Sequence, residues 1–324
     1  MCYNVLDDGT QTRIRCVKAG DDGFSGPSGS IPICVNDLLK LYSALLASAK
    51  DQLAIGRTST RDFPLKQFNH MSARIPIHQA TRGEVSYGSG WARVQLPGPM
   101  GDVGCSPPLI PKGMPMVWKG VASQLVMYHQ GSLLGTLAIA ILIPDTESAI
   151  VVLTNSLSLD DIPDWVQWLV LEELLKVPER NHYIQSGRTS LAENAKWYAA
   201  TTEELQKQRR AGTSPRSLGR YVGIYRDSVH IFKIKVSLEE GTLFWSFQGL
   251  ESEKFRLDHY EQDTFTWPEP RKDLVKRGRW VDQGAPFWKA EFKANSDGHI
   301  GSLSWVHDIG VPAAEYVKLM KGML

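Results

Sequence analysis

The sequence is poor in the features that quickly fix a function class. Among 324 residues there are four cysteines, Cys2, Cys16, Cys34 and Cys105, and no Cys-x-x-Cys pair. Such scatter in a long chain predicts free, buried thiols rather than zinc or a disulfide framework. The eight histidines form no His-Glu-x-x-His pattern and no paired metal spacing, so no metal is expected. Neither a Gly-x-Gly-x-x-Gly nor a Walker pattern follows a strand-like run, and no cofactor is expected. The formal net charge of +1 gives no electrostatic argument for nucleic acid or an acidic membrane surface. No apolar run approaches the roughly 18 residues of a membrane-spanning helix. Met1-Cys2-Tyr3-Asn4 has neither a basic nor an apolar leader character, and no Asn-x-Ser/Thr acceptor occurs. Cytoplasmic is therefore the default expectation.

The nucleophile motifs of common hydrolases are missing too. No Ser is followed three residues later by Lys, and no Tyr is followed two residues later by Asn. Gly88-Ser89-Gly90 lacks the Gly-x-Ser-x-Gly frame of a nucleophile elbow.

What is present begins with Tyr128 to Asn155. Apolar runs Leu137 to Ile143 and Ala149 to Leu153, split by Pro144-Asp145, predict adjacent antiparallel strands buried on both faces. His129-Gln130-Gly131 opens this segment, which reads as a catalytic edge strand with its neighbours. A small Gly beside a His lets a substrate approach the backbone closely, and His is a competent acid or base near neutrality. The same residues also fit a core hairpin with a satisfied His at its mouth.

Leu38, Leu41, Tyr42, Leu45 and Leu46 mark one face of a helix capped near Asn36. Ile162, Trp165, Val166, Leu169, Val170 and Leu174 predict a second core-facing stripe, capped by Asp160 or Asp161 with Pro163 in the first turn. Gly9 to Gly29 reads as surface loop and Gln95 to Gly120 as a long irregular loop. Leu191 to Arg210 predicts a helix ended by Gly212 and Pro215, within a linker over 188–216.

From residue 217 onward the chain changes to short alternating runs. They include Val229 to Val236, Leu243 to Phe247, Thr264 to Trp267, Trp288 to Phe292 and Ser302 to Val306, with turns at Glu240-Gly241 and Asp297-Gly298. That spacing predicts an antiparallel barrel or sandwich. Trp245, Trp267, Trp280, Trp288 and Trp305 could fill a small barrel, which could equally hold one ligand.

The ordered set of motifs resembles a known family. Gly26-Pro27-Ser28-Gly29-Ser30, Tyr87-Gly88-Ser89-Gly90-Trp91, His129-Gln130-Gly131 and Leu153-Thr154-Asn155 together are similar to class C β-lactamase and penicillin-binding-protein-like serine hydrolases, especially fungal ones. The likeness covers most of residues 1 to 180. Tyr221-Val222-Gly223-Ile224-Tyr225 and the segment His259 to Phe265 resemble the lipocalin-like domain appended to many of these enzymes.

The resemblance implies an α+β fold in three parts. Residues 1–187 would be a partial β-lactamase/transpeptidase-like domain with an antiparallel sheet and flanking helices. Residues 188–216 would link it to a lipocalin-like β-barrel over 217–324. His129 would stand in the cleft wall as the catalytic candidate. Gln130, Gly131 and Tyr87 would be candidate substrate contacts, although the motif of Tyr87 itself reads as structural. The substrate would be a small-molecule or peptide-like acyl compound, with no metal or cofactor.

The family's nucleophile lies in a Ser-x-x-Lys motif, and a Tyr-x-Asn loop completes its proton relay. Neither occurs here, so the chain is expected to begin beyond them, truncated at its amino terminus relative to the family. Three readings follow. One is a hydrolase-family protein acting on an amide, ester or thioester, by hydrolysis or acyl transfer, in fungal secondary metabolism. The second is a non-catalytic binding or scaffold protein that uses the residual cleft, with a protein partner covering the truncated face. The third is a ligand carrier, which needs an open cavity inside residues 217 to 318.

Overall fold

The computed structural model describes residues 1–16, 31–56, 67–73, 75–76, 85–101, 103–308 and 310–319. The Gly-Pro-Ser-Gly-Ser stretch at 26–30 lies outside them. The chain divides into two compact units, Met1–Ala195 and Lys196–Leu324. The boundary falls inside the stretch read as a linker. Instead of one helix over Leu191 to Arg210, α4 (Tyr183–Asn194) closes the first unit and α5 (Trp197–Gln208) opens the second.

The first unit is built on a six-stranded antiparallel sheet. Its strands are β3 (Ile75–Pro76), β4 (Val85–Gly88), β5 (Trp91–Leu96), β8 (Gln124–Leu133), β9 (Thr136–Ile143) and β10 (Ser148–Thr154), in the order β10-β9-β8-β5-β4-β3. A second sheet joins β1 (Cys2–Val5) and β2 (Gln11–Ile14) to β11 (Ser156–Leu157), while β6 (Gly98–Pro99) and β7 (Met116–Val117) form a short pair. Strand β2 and the β6–β7 pair both interrupt segments expected to be plain loop. The hairpin expected around Pro144-Asp145 is present as β9 and β10, with Ile150 opposite Ile141. The strand carrying His129 is not an edge strand. β8 lies inside the sheet, hydrogen-bonded to β5 and β9.

Side-chain alternation divides the sheet into two cores. On one face Met127, Ala140 and Leu142 pack with Leu45, Leu46 and Ala49 of α1 (Val35–Ile55). The short helix α2 (Phe68–Met71) adds Phe68 to this core. On the other face Val126, Tyr128 and Ile141 pack with Trp165, Trp168 and Leu171 of α3 (Ile162–Leu174). Cys34, not Asn36, is the N-cap of α1, and its thiol donates to the Asp37 carboxylate at 3.1 Å.

Helix α3 is turned relative to the predicted stripe. Trp165 is buried, but Ile162, Val166, Leu169, Val170 and Leu174 are 37–53% exposed. The inward face also carries Asp164, Gln167 and Glu172. Those polar groups have partners inside: Gln130 and Gln167 donate to Asp164, and Asn181 donates to Glu172. Turned inward, Asp164, Gln167 and Glu172 reach these partners, and a buried polar group left without one would cost about 1–3 kcal/mol.

The cysteines also differ from expectation. Cys2 and Cys16 form a disulfide, while Cys34 and Cys105 take no part in one and are exposed. Proximity of β1 and the end of β2 brings Cys2 and Cys16 together. Nothing in their spacing of 14 residues marks them.

The second unit is a closed antiparallel barrel of eight strands, from β12 to β19 in sequence order. They are β12 (Gly223–Arg226), β13 (Lys233–Glu239), β14 (Thr242–Phe247), β15 (Lys254–Glu261), β16 (Thr264–Thr266), β17 (Lys289–Ala294), β18 (Ile300–Trp305) and β19 (Ala314–Lys318). Helix α6 (Arg271–Lys276) lies between β16 and β17. Trp245, Trp267, Trp288 and Trp305 are buried inside, whereas Trp280 is 37% exposed and does not fill the core. The ring centroids of Trp267 and Trp288 are 4.6 Å apart, and those of Trp245 and Trp267 5.0 Å. Phe247, Phe255, Phe265 and Phe292 complete an interior of interlocking rings.

The fold is thus α+β: an antiparallel sheet with flanking helices, followed by a small antiparallel barrel. Among the described residues no helix is long and apolar enough to cross a membrane.

Candidate functional site

The site forms where β5, β8, β9 and α1 meet. The β4–β5 hairpin turns through Ser89 and Gly90, both with positive φ (48° and 84°). That conformation matches strand twist in a two-residue turn and favours a Gly at its second position. The turn pairs Gly88 with Trp91 and Tyr87 with Ala92, and Ala92 in turn faces Tyr128 on β8. Trp91 is thereby brought beside His129, and both line one groove of about 320 Å³.

The groove exists because neighbouring cross-strand positions are small. His129 faces Ala140, Gly131 faces Ala138, and Ala138 faces Leu153. Gly131, Ala138 and Ala140 leave the strand backbone low, and larger residues stand around it. Leu38 and Tyr42 of α1 form one wall. Tyr42 meets Trp91 edge to face, with ring centroids 5.8 Å apart and an angle of 74°.

The polar centre is a pair. The Tyr87 hydroxyl and His129 Nε2 are 3.0 Å apart, and the imidazole tautomer decides which one donates. Partial burial lowers the His129 pKa below its ordinary value, opposed by a hydrogen bond with the Gln130 backbone. Burial likewise pushes the Tyr42 phenol up. Both groups are therefore held in their uncharged forms near neutral pH.

Gln130 borders the same groove, but its side-chain amide is engaged elsewhere. Nε2 donates to Asp164 Oδ1 at 2.8 Å on the α3 side of the sheet. Asp164 is fully buried, and its pKa is raised to about 8, first by burial and then by the charge of Asp161; hydrogen bonds from Ser106, Gln167 and Gln130 oppose the rise. Asp161 is itself raised to about 6 by burial, and Asp160 is raised for the same reason. The loop that follows β6 closes over this cluster. A Cβ on Gly104 would overlap the Gln130 amide, so only a glycine lets the loop approach so closely.

The structure places His129, Gln130 and Gly131 along the groove, sets the Tyr87 hydroxyl 3.0 Å from His129 Nε2, and turns the Gln130 amide to a partner on the far face. Tyr42 fits the core stripe of a helix and Trp91 a motif that reads as structural, so neither stood out from sequence as a groove wall. It read Asp160 and Asp161 as cap residues and gave Asp164 no role. Among the described residues no cluster of His, Cys, Asp and Glu side chains could hold a metal ion.

The comparisons with known proteins are sparse. Residues 207–317 match the family described as a domain of unknown function, DUF3471. No curated protein matches the chain. Among solved structures, the C-terminal domain of penicillin binding protein Rv0907 is 23% identical, with 35% of this chain and 95% of that one covered and a TM-score of 0.26. The octameric penicillin-binding protein homologue from Pyrococcus abyssi is 14% identical over 98% of this chain, with a TM-score of 0.33. The alignment takes in 53% of that chain, so this sequence spans about half its length. SurE is 13% identical over 88% of this chain and 48% of its own, with a TM-score of 0.25. The architecture therefore rests on the strand order and packing described above, not on these superpositions.

Proposed function

We propose that the groove around His129 is an acyl-ligand site of the β-lactamase-related type, taking an amide, ester or thioester for hydrolysis or acyl transfer. The carrying observation is the hydrogen bond between the Tyr87 hydroxyl and His129, which lines a groove whose floor carries the exposed Gly131. The β5 ladder ends opposite Tyr128, so a carbonyl compound can pair with the backbone of β8 beyond that residue on the side that β9 does not occupy. The neutral imidazole is then in the protonation state of a general base, able to take a proton from an attacking water or hydroxyl. The Tyr87 hydroxyl orients the ring and can relay that proton, donating its own to Nε2 as it accepts one from the water or hydroxyl.

A second reading has its own support. The described residues lining the groove include no serine, threonine, cysteine or lysine, and the sequence has no Ser-x-x-Lys motif. A binding protein that retains its ligand without turning it over would look the same. The third reading, a carrier working through the barrel, is not favoured, because buried tryptophan and phenylalanine rings occupy the interior.

A serine-directed probe separates the first two readings. The purified protein is treated with a fluorophosphonate or a β-lactam, and intact mass is read alongside hydrolysis of a chromogenic ester. Turnover that His129→Ala reduces by a hundredfold or more supports the catalytic reading, within the ordinary range for a general base. Turnover unaffected by that substitution sinks it, and ligand binding without turnover leaves the second reading.

A further inference from the structure

Resting on the reading of the groove as an acyl-ligand site, we propose that it selects a neutral, apolar acyl group and rejects a free carboxylate. The first support is shape. Gly131 on β8 faces Ala138 on β9, Ala140 lies two residues further along β9 opposite His129, and these three small residues form a floor recessed below its walls. The space of about 320 Å³ corresponds to roughly ten water molecules at ~30 Å³ each, enough for an aromatic ring or a short alkyl chain.

The second support is the chemistry of the lining. The walls are Tyr42, Trp91 and aliphatic side chains, with the two rings meeting edge to face. Among the described lining residues none is Lys, Arg, Asp or Glu. The two that titrate, His129 and Tyr42, are both held neutral by their burial. A carboxylate entering here would lose part of its hydration and meet no counter-charge among the described lining residues, which disfavours it. An amide, ester or thioester carries no such penalty, and its carbonyl can pair with the backbone of β8 beyond Tyr128. The apolar part then covers the floor and displaces water that the alanines cannot hold by hydrogen bonds.

The test uses three matched probes, phenylbutyramide, methyl phenylbutyrate and phenylbutyrate, titrated into the protein above neutral pH. Binding is read from the NMR signals of the His129 and Trp91 rings. The amide and ester are expected to bind about tenfold or more tightly than the carboxylate. Ala138→Leu, which fills the floor, should weaken the neutral probes by a similar factor. Should that variant fail to fold, Gly131→Ala serves instead. A Cβ at position 131 would meet only the Ala138 Cβ, at 3.8 Å, so the variant should fold and bind a few-fold more weakly.

Carboxylate binding as tight as that of the amide overturns the inference, even if an ester is turned over. Neutral probes that bind selectively but are never hydrolysed uphold the inference while removing catalysis. Failure of all three probes to shift the His129 and Trp91 signals overturns both.

Discussion

Gln130 Nε2 donates to Asp164 Oδ1 at 2.8 Å, and this bond ties the strand bearing His129 to the helix on the opposite face of the sheet. Asp164 accepts a second hydrogen bond from Gln167 Nε2 at 3.0 Å. The loop around Gly104 seals the pair from solvent, since that glycine packs directly on the Gln130 amide. The groove on one face is therefore backed by a buried polar network on the other. Shifts in β8 that would misplace His129 also break hydrogen bonds around a buried carboxyl.

That backing predicts the cost of disturbing it. Gly104→Ala forces a methyl group into the Gln130 amide and should destabilise the first unit by about 1–3 kcal/mol. Gln130→Ala strips a donor from Asp164 and should cost a similar amount, about 1–3 kcal/mol. Chemical denaturation of both variants measures this. Wild-type midpoints for both would show that the loop and the amide do not touch.

The stability of the first unit should depend on pH through Asp164. Its pKa is raised from 3.8 to about 8 in the folded protein. Between those values the native state keeps a proton that the unfolded chain has released. The contribution is fully present below about 3.8 and is lost as pH rises through about 8. Asp161 acts in the same direction over a window ending near about 6. Asp164→Asn keeps a carbonyl acceptor but cannot ionise. It should flatten this slope and stabilise the protein at alkaline pH by about 1–2 kcal/mol. Thermal melts across the range would count against the assignment if the variant and the wild type ran parallel.

His129 titrates in the opposite sense. Its lowered pKa means that the unfolded chain binds the proton more readily, so this group's contribution to stability falls as pH drops through the ordinary His range. NMR titration of the imidazole should give a midpoint below 6.5. Tyr87→Phe removes the partner at 3.0 Å and should destabilise the site by about 0.5–1.5 kcal/mol. A midpoint at or above the ordinary value would remove the neutral imidazole on which the proposed chemistry depends.

The disulfide can be checked by counting thiols. Alkylation without reductant should label Cys34 and Cys105 only, and reduction should expose Cys2 and Cys16 as well. The bridge closes a short loop, and Cys2→Ser should cost about 3 kcal/mol on the chain-entropy account. Four labelled thiols in protein prepared without reductant would rule out the bridge.

Much of this fold could be read from the sequence where patterning and turn chemistry agreed. The β9–β10 hairpin was legible because Pro144-Asp145 splits two apolar runs of strand length. The barrel hairpins were legible at Glu240-Gly241 and Asp297-Gly298, where β13 meets β14 and β17 meets β18. Strands β15 and β19 were harder to see, since their charged residues break up the apolar runs. In the site, His129 and Gly131 stood out by residue type, whereas Tyr42 and Asp164 are remote in sequence from them.

Helix α3 shows where sequence stops and tertiary structure takes over. Its residues specify a helix, capped at Asp161 with Pro163 in the first turn, but they are apolar on more than one face. Periodicity fixed that the helix packs and left open which side does. The choice fell to Asp164, Gln167 and Glu172, whose buried partners come from β8, from α3 itself and from Asn181 beyond it. The sequence by itself determined local conformation, through patterns repeated every two or roughly four residues. Only the assembled sheet decided facing, pairing and protonation, because burial and hydrogen bonding between residues distant in the chain have no local signature.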